Sequence, residues 1–365
     1  MTTSTATVLT SPHDLLAAVP FLIGYHPRNS LVVISLKGSA IGMAMRVDFP
    51  LGADEILACS QQLVSHLVRE GAEAAIVVGY LPEESLEQSL EQSHEQSTGF
   101  DTDGLEPSFV EPRLIEPIME LIAEAGITLA EAIEVRGDRF ASLLCHDREC
   151  CPPEGSAMLQ AGAARVSAEQ VALGHPMPFA GIEQMRESIS ALPRDKELVQ
   201  RLGACEEIDY DSLSPQEVHQ LQREGALALN SLCESYGVDG VRVDRGLLAL
   251  VLVRLHDLQV RDYAMGLATP EDSLSLWAMW RWVLRIAPKG YVAPVAVIFA
   301  TASYERGEGA LAQRSLDRAI EDDAGYQMAK LLRRTFAAGW PPESFSAMRA
   351  ELHPKICAHL FSHDE

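Results

Sequence analysis

Basic side chains are scarce in this chain: 29 Lys and Arg stand against 52 Asp and Glu, a formal net charge of −23 over 365 residues. Nucleic-acid binding draws on clustered Lys and Arg that displace counterions from a phosphate backbone, so that class of partner is excluded. An anionic membrane surface is disfavoured for the same reason. Long apolar runs are missing too: stretches such as Leu247 to Val253 fall well short of the ~20 residues a bilayer span requires. The opening MTTSTATVLTSPHD has neither the basic nor the apolar region of a signal peptide, so a cytoplasmic location is expected. Cysteine is sparse, odd in number at seven and irregularly spaced, which does not suit a secreted disulfide framework and points to reduced thiols. No G-x-x-x-x-G-K-[ST], H-E-x-x-H or G-x-S-x-G occurs, so P-loop, zincin and α/β-hydrolase chemistries lack their hallmarks. Gly307 to Ala312 matches G-x-G-x-x-A but joins two helical segments instead of following a strand, which removes the phosphate-binding geometry.

What is present builds a folded chain. A 47% hydrophobic and 22% charged composition is that of a packed protein, and the length exceeds what one core usually serves, so two domains are expected. The first, over 11–155 after a flexible tail at 1–10, reads as α/β with a mixed sheet covered by helices. Ser11-Pro12-His13-Asp14 opens a short helix to Ala18, with Ser11 as cap and Pro12 at the first helical position. Leu31 to Leu36 is a continuous apolar run that fits a strand buried on both faces, and Lys37-Gly38-Ser39 turns it into a hairpin. A helix over Asp54 to Glu70 follows, with Ile56, Leu57, Leu63, Val64, Leu67 and Val68 at helical spacing. Then come a strand from Ala74, a helix from about Arg113 to Ala125, a strand over Ile127 to Val135, and Arg136-Gly137-Asp138 turning into RFASLLC. Residues 81–111 carry nine acidic side chains, no Lys or Arg, and the repeat S-L-E-Q, S-L-E-Q, S-H-E-Q, which predicts a mobile acidic insert.

Helical signals dominate after Gly155, through a connector at 156–213, a helical domain at 214–353 and a tail at 354–365. Ser214-Pro215-Gln216-Glu217 is a capping box opening a helix to about Tyr236, and Thr269-Pro270-Glu271-Asp272 opens another. Leu247 to Leu258 reads as long enough for a helix, and the helix bearing Trp277, Trp280 and Trp282 reads as apolar on more than one face, and so as either central to the bundle, the plainer reading, or covered by a partner. Arg242, Asp244, Arg245, Arg254, Arg261 and Asp262 read as solvated ion pairs along helix faces. Within 293–324, Phe299, Ala300, Gly307, Ala312, Leu316 and Ala319 have the offsets of a tetratricopeptide-like helical hairpin, with Ala324 where that repeat usually has proline. One such repeat cannot bury its own face, so neighbouring helices must complete the layer.

Two segments carry candidate chemistry. Cys145 to Gly155, C-H-D-R-E-C-C-P-P-E-G, packs three cysteines into seven residues. The sharp reading is a zinc site formed by Cys145 and Cys150 or Cys151, with His146 or a distant histidine such as His26 completing a tetrahedron. Against it stand the four-residue gap after Cys145, at the loose end of ligand spacings, the rarity with which adjacent cysteines both point at one metal, and the lack of a second C-x-x-C pair. A redox thiol pair and a purely structural loop fixed by Pro152-Pro153 and Gly155 are the competing readings. The second segment is the polar turn Gly24 to Ser30, where His26, Arg28 and Asn29 can bind an anion or serve in acid–base chemistry. The plainer reading has Asn29 and Ser30 making turn hydrogen bonds and His26 held by a backbone carbonyl. If the two loops converge, His26, Arg28, Asn29 and Glu154 form a ligand pocket at the sheet edge. Lacking an assembled catalytic set, the chain reads first as a non-catalytic interaction or regulatory module with a protein partner. An enzyme or small-molecule binder, and a zinc protein, are the alternatives.

The opening SPHDLLAAVPFLIGYHPRNSLVVISL, the RVDFP after the hairpin, the cysteine segment and the late RGEGALAQRSLDRAIEDDAGYQMAKLL together resemble an actinobacterial family described as a domain of unknown function, DUF4192. The resemblance covers nearly the whole chain, with the insert at 83–106 as a departure. It implies a cytoplasmic bacterial protein whose shared site would lie at 24–30 or 145–155, and it supplies no activity, cofactor or catalytic residue.

Overall fold

The structure is a computed structural model that describes residues 9–50, 52–82, 114–158, 160–205, 212–239, 243–267 and 273–361. The acidic insert expected at 81–111 lies outside the described residues except for Leu81 and Pro82, as do most of the 1–10 tail and the Thr269-Pro270 helix opening. The chain forms two compact units, Met1–Ile182 and Glu183–Glu365.

The first unit is a mixed sheet with helices. Ser11 caps α1 (Pro12–Ile23) by accepting from the Asp14 N–H. The helix continues past the expected end at Ala18, through Pro20, to Gly24. A proline there sacrifices one intrahelical bond. Burial of Leu15, Leu16, Val19 and Ile23 offsets it, and Gly24 at φ 87° returns its N–H to the Pro20 carbonyl at 2.8 Å. Next come β1 (Ser30–Lys37), β2 (Ala40–Asp48), α2 (Ala53–Glu70), β3 (Ala74–Tyr80), α3 (Glu116–Glu124), β4 (Thr128–Arg136), β5 (Arg139–Ser142), β6 (Ser156–Ala157) and α4 (Gln160–Ala172). The sheet order is β2-β1-β3-β4-β5-β6. Among the described strands of the sheet only β3 and β4 run parallel, and α3 lies in the crossover that a parallel pair requires.

Alternation along the strands sends Leu31, Val33, Ala75 and Val77 to one face, where Leu63 and Leu67 of α2 and Ile118 and Ile122 of α3 cover them. At the far end of the sheet, His13 of α1 packs edge-on against Phe140 of β5, with ring centroids 4.8 Å apart. The stretch read as a connector begins inside this unit. α4 packs along α1, and Arg165 bonds Asp14 at 2.7 Å. The two-residue β6 was not readable from sequence, because so short a strand leaves no period.

The second unit is helical: α5 (Ile182–Ser188), α6 (Lys196–Gly203), α7 (Pro215–Asp239), α8 (Arg245–Arg254), α9 (Leu258–Gly266), α10 (Ser273–Ile286), α11 (Val292–Glu305), α12 (Gly309–Asp322), α13 (Gln327–Ala337) and α14 (Pro342–Phe361). The capping box forms as read, with Ser214 N–H donating to Glu217 at 2.8 Å and the Glu217 N–H to the Ser214 hydroxyl at 3.3 Å. The helix expected over 247–258 forms but ends at Arg254. Asp257 then caps the next helix, α9, by accepting from the Gln259 and Val260 N–H groups.

The central helix is α11, buried on all sides from Val292 to Thr301, and not the tryptophan helix α10. In α10 Leu276, Met279, Trp280, Val283 and Leu284 are buried, while Trp277 and Trp282 are half-buried beneath arginines. Arg281 and Arg306 lie over Trp277, and Arg245 lies over Trp282. The charged stretch also departs from the solvated reading. Arg254 and Arg261 are buried, the first pairing with Glu224 and the second with Asp262. Arg242 lies outside the described residues. α11 and α12 form a close helical hairpin around Ala300, Ala312 and Ala319, and Gly307 takes φ 78° in the turn. The final helix continues to Phe361, through the stretch read as a tail.

Candidate metal centre

The cysteine loop leaves the sheet at the end of β5 and returns as β6. Its root is fixed in the core: Leu143 is buried, belongs to the apolar cluster under α2 and α3, and donates its N–H to the Ala132 carbonyl at 2.8 Å. Its far end is fixed by Arg139, whose guanidinium donates to the Gly155 carbonyl at 2.6 Å and the Glu154 carbonyl at 3.3 Å. Gly155, at φ 76°, bonds back to Pro152 at 2.8 Å, so the two prolines and this glycine shape the exit.

Between these anchors the chain curls around Asp147. Its carboxylate accepts from the Glu149 N–H at 2.9 Å and its carbonyl from the Cys151 N–H at 2.7 Å. That turn brings the sulfurs of Cys145, Cys150 and Cys151 within 4.8 Å of one another. Cys150 and Cys151 bring their sulfurs together because they sit on a tight turn and not on an extended strand, where neighbouring side chains face opposite sides. His146, the candidate fourth ligand, is exposed and outside the group. No Asp, Glu or His joins the three sulfurs among the described residues.

The three thiols differ. Backbone hydrogen bonding at Asp147, then bonding with Cys151, holds the Cys145 thiol below its ordinary range. Burial, then the hydrogen bond with Cys145, pushes Cys151 up to about 12. Cys150 is exposed, which opens the group to solvent.

The turn at 24–30 has other partners. Asn29 takes φ 45°, the left-handed conformation that asparagine tolerates, and its carbonyl accepts from Phe49 N–H at 2.8 Å. Ser30 donates to the Arg28 carbonyl at 2.6 Å and accepts from Arg46 at 2.8 Å. Among the described residues it is the His26 backbone N–H, not the ring, that meets a carbonyl, that of Phe179 at 2.9 Å. Its imidazole borders a cavity of about 110 Å³ with His13, Leu16, Pro20, Met158 and Met177. Burial, then the nearby Arg28 charge, lowers the His26 pKa. Glu154 is exposed and is tied through its carbonyl to Arg139.

Sequence reading missed His13, which lines the His26 cavity with its ring nitrogen 3.2 Å from the Ala157 carbonyl. The signal was there in the spacing of His13, Leu16, Ala17 and Pro20 at i, i+3, i+4 and i+7 along one helix face.

The profile of a family described as a domain of unknown function (DUF4192) matches residues 12–343, nearly the whole chain, and the chain belongs to that family. No curated protein and no solved structure matches it.

Proposed function

We propose that this DUF4192 member is a non-catalytic, regulatory metal-binding protein whose thiolates at Cys145, Cys150 and Cys151 hold a zinc-class cation. The observation that carries the reading is the convergence of three sulfurs within 4.8 Å on one loop anchored at both ends. Zinc–sulfur bonds of about 2.3 Å set tetrahedral sulfurs about 3.8 Å apart, so side-chain rotation of about an ångström closes the group. Soft thiolates select zinc-class and other thiophilic ions over magnesium or calcium. Binding displaces the thiol protons, so affinity rises with pH. The cytoplasm, which keeps thiols reduced, is the setting that suits such a site.

The test is native mass spectrometry of the full chain, purified with a phosphine reductant and supplied with zinc. One zinc per chain is expected, lost in Cys145→Ser and in Cys151→Ser while far-ultraviolet circular dichroism stays unchanged. Wild-type protein that takes up no zinc, or variants that keep it, would overturn the reading.

A second role, as a surface for a protein partner, is favoured by one observation in the helical unit. An open apolar groove of about 430 Å³ runs between α7 and α8, with Leu227, Leu247 and Leu250 along it and Leu227 51% exposed. The α11–α12 hairpin, of tetratricopeptide-like character, gives that unit the stacked-helix build on which such surfaces form. Leu227→Glu is expected to abolish cross-linking to a captured partner while Leu331→Glu, on α13, leaves it intact. Equal cross-linking in both variants counts against the groove.

A further inference from the structure

Resting on the metal reading above, we infer that the ion's fourth coordination position belongs to a thiol from outside this chain, a small-molecule thiol or a cysteine of a second protein molecule. The loop supplies three donors where a tetrahedral ion needs four. Among the described residues no other donor joins the three sulfurs: His146, Glu149 and Glu154 are exposed and lie outside the group. The Asp147 carboxylate holds the Glu149 N–H and its carbonyl the Cys151 N–H, so turning either toward the metal dismantles the turn that assembles the site. His13 is engaged with the Ala157 carbonyl and packed on Phe140, and His26 borders the cavity beside α1. Cys150 is exposed, so the open vertex is reachable from solvent.

Structural zinc sites are closed by four protein ligands, whereas a site with three keeps an exchangeable position. Three thiolates make the ion soft and electron-rich, which favours sulfur as the incoming donor over carboxylate or water. The step is a ligand exchange. The incoming thiol gives its proton to solvent, its sulfur bonds the metal, and the water that held the position leaves. No electron changes hands. The site thereby reads thiol availability or docks a partner's cysteine, which gives the proposed regulatory role its ligand.

Cobalt(II) is the probe, because its sulfur charge-transfer absorption grows with each cobalt–thiolate bond. The full chain, freed of added thiol and loaded with cobalt, is titrated with 2-mercaptoethanol. A saturable rise of about a third, from three thiolates to four, is expected. If the four-sulfur spectrum instead develops without added thiol, and only at concentrations where sedimentation shows a dimer, the fourth sulfur comes from a second copy, which also upholds the inference. A four-sulfur spectrum in dilute monomer, or a three-sulfur spectrum that the thiol does not move, overturns it while leaving the metal site standing. Absence of cobalt binding removes the metal site itself, and this inference with it.

Discussion

Replacing Asp322 is expected to destabilise the helical unit by about 2 kcal/mol, a figure that follows from three hydrogen bonds. Asp322 ends α12, and its carboxylate reaches the start of α11, accepting the N–H of Gly290 at 2.7 Å, Val292 at 2.9 Å and Ala293 at 3.0 Å. Tyr291, at the cap position of α11, offers no side-chain bond of its own. Val292 and Ala293 are 6% and 2% exposed, so water cannot replace the lost acceptor. Losing a helix cap typically costs about 1 kcal/mol, and a bond to a charged acceptor about 1.5–3 kcal/mol. The three bonds share one group and do not add, and a carboxylate at the end of its own helix is disfavoured by the dipole, which brings the net to about 2 kcal/mol. An asparagine at this position would keep one acceptor oxygen without the charge, so Asp322→Asn is expected to lose about half as much as Asp322→Ala. All four tryptophans, at 277, 280, 282 and 340, fall in the second unit, so tryptophan fluorescence in urea reports that unit alone. With a slope of about 2 kcal/mol per molar, the Asp322→Ala midpoint should fall by about 1 M. Asp323→Ala is the control: it has the same charge at the same helix end, but it accepts only from its own turn, at the Gly325 N–H. A shift below about 0.3 M in Asp322→Ala, or an equal shift in Asp323→Ala, would refute the cap argument.

Three further outcomes are expected. Zinc at about a hundred times its dissociation constant should stabilise the first unit by about 2.7 kcal/mol, a rise of about 5–11 °C in its calorimetric midpoint, reversed by chelator and absent in Cys150→Ser. Asp14 is held below its ordinary value of 3.8 first by the Thr10 backbone N–H and then by Arg165. Its stabilisation is therefore fully present above that value and lost as pH falls below it. Asp14→Asn should speed hydrogen exchange in α1 at pH 7 and flatten the acid dependence, and unchanged exchange would count against the α1–α4 anchor. Gly79→Ala would set its new carbon 2.6 Å from the Ile115 methyl, itself 1% exposed, and should cost about 1–3 kcal/mol in thermal unfolding. No measurable loss there would mean that α3 is free to shift away from β3.

The elements whose cause is local were legible in the sequence. The apolar run of β1, the cap at Ser11 and the box at Ser214 and Glu217 each need only neighbours along the chain, and each stands where it was read. Reading failed where a distant group decides. α1 outlasts Ala18 because the face it buries outweighs the bond Pro20 lacks, and burial is a property of the sheet beneath. The helix read over 247–258 stops at Arg254 and α9 begins at its far end, where the Asp257 side chain caps, a choice its residue type permits without requiring. The tryptophan helix looked central because aromatic size was counted without the arginines that cover Trp277 and Trp282. The true centre, α11, starts on a cap borrowed from a residue about thirty positions downstream, which no local pattern can show.

The cysteine segment divides the same way. Three sulfurs in seven residues announce themselves by count alone, yet whether they converge depends on backbone that the count ignores. On an extended strand Cys150 and Cys151 would face opposite sides. They converge because Asp147 takes the Glu149 N–H on its carboxylate and the Cys151 N–H on its carbonyl, and because Leu143 and Arg139 hold the loop's two ends to the sheet. Asp147 therefore shapes the site without contributing a ligand atom. A search for donors alone passes over it, because what it supplies is the turn and not a sulfur.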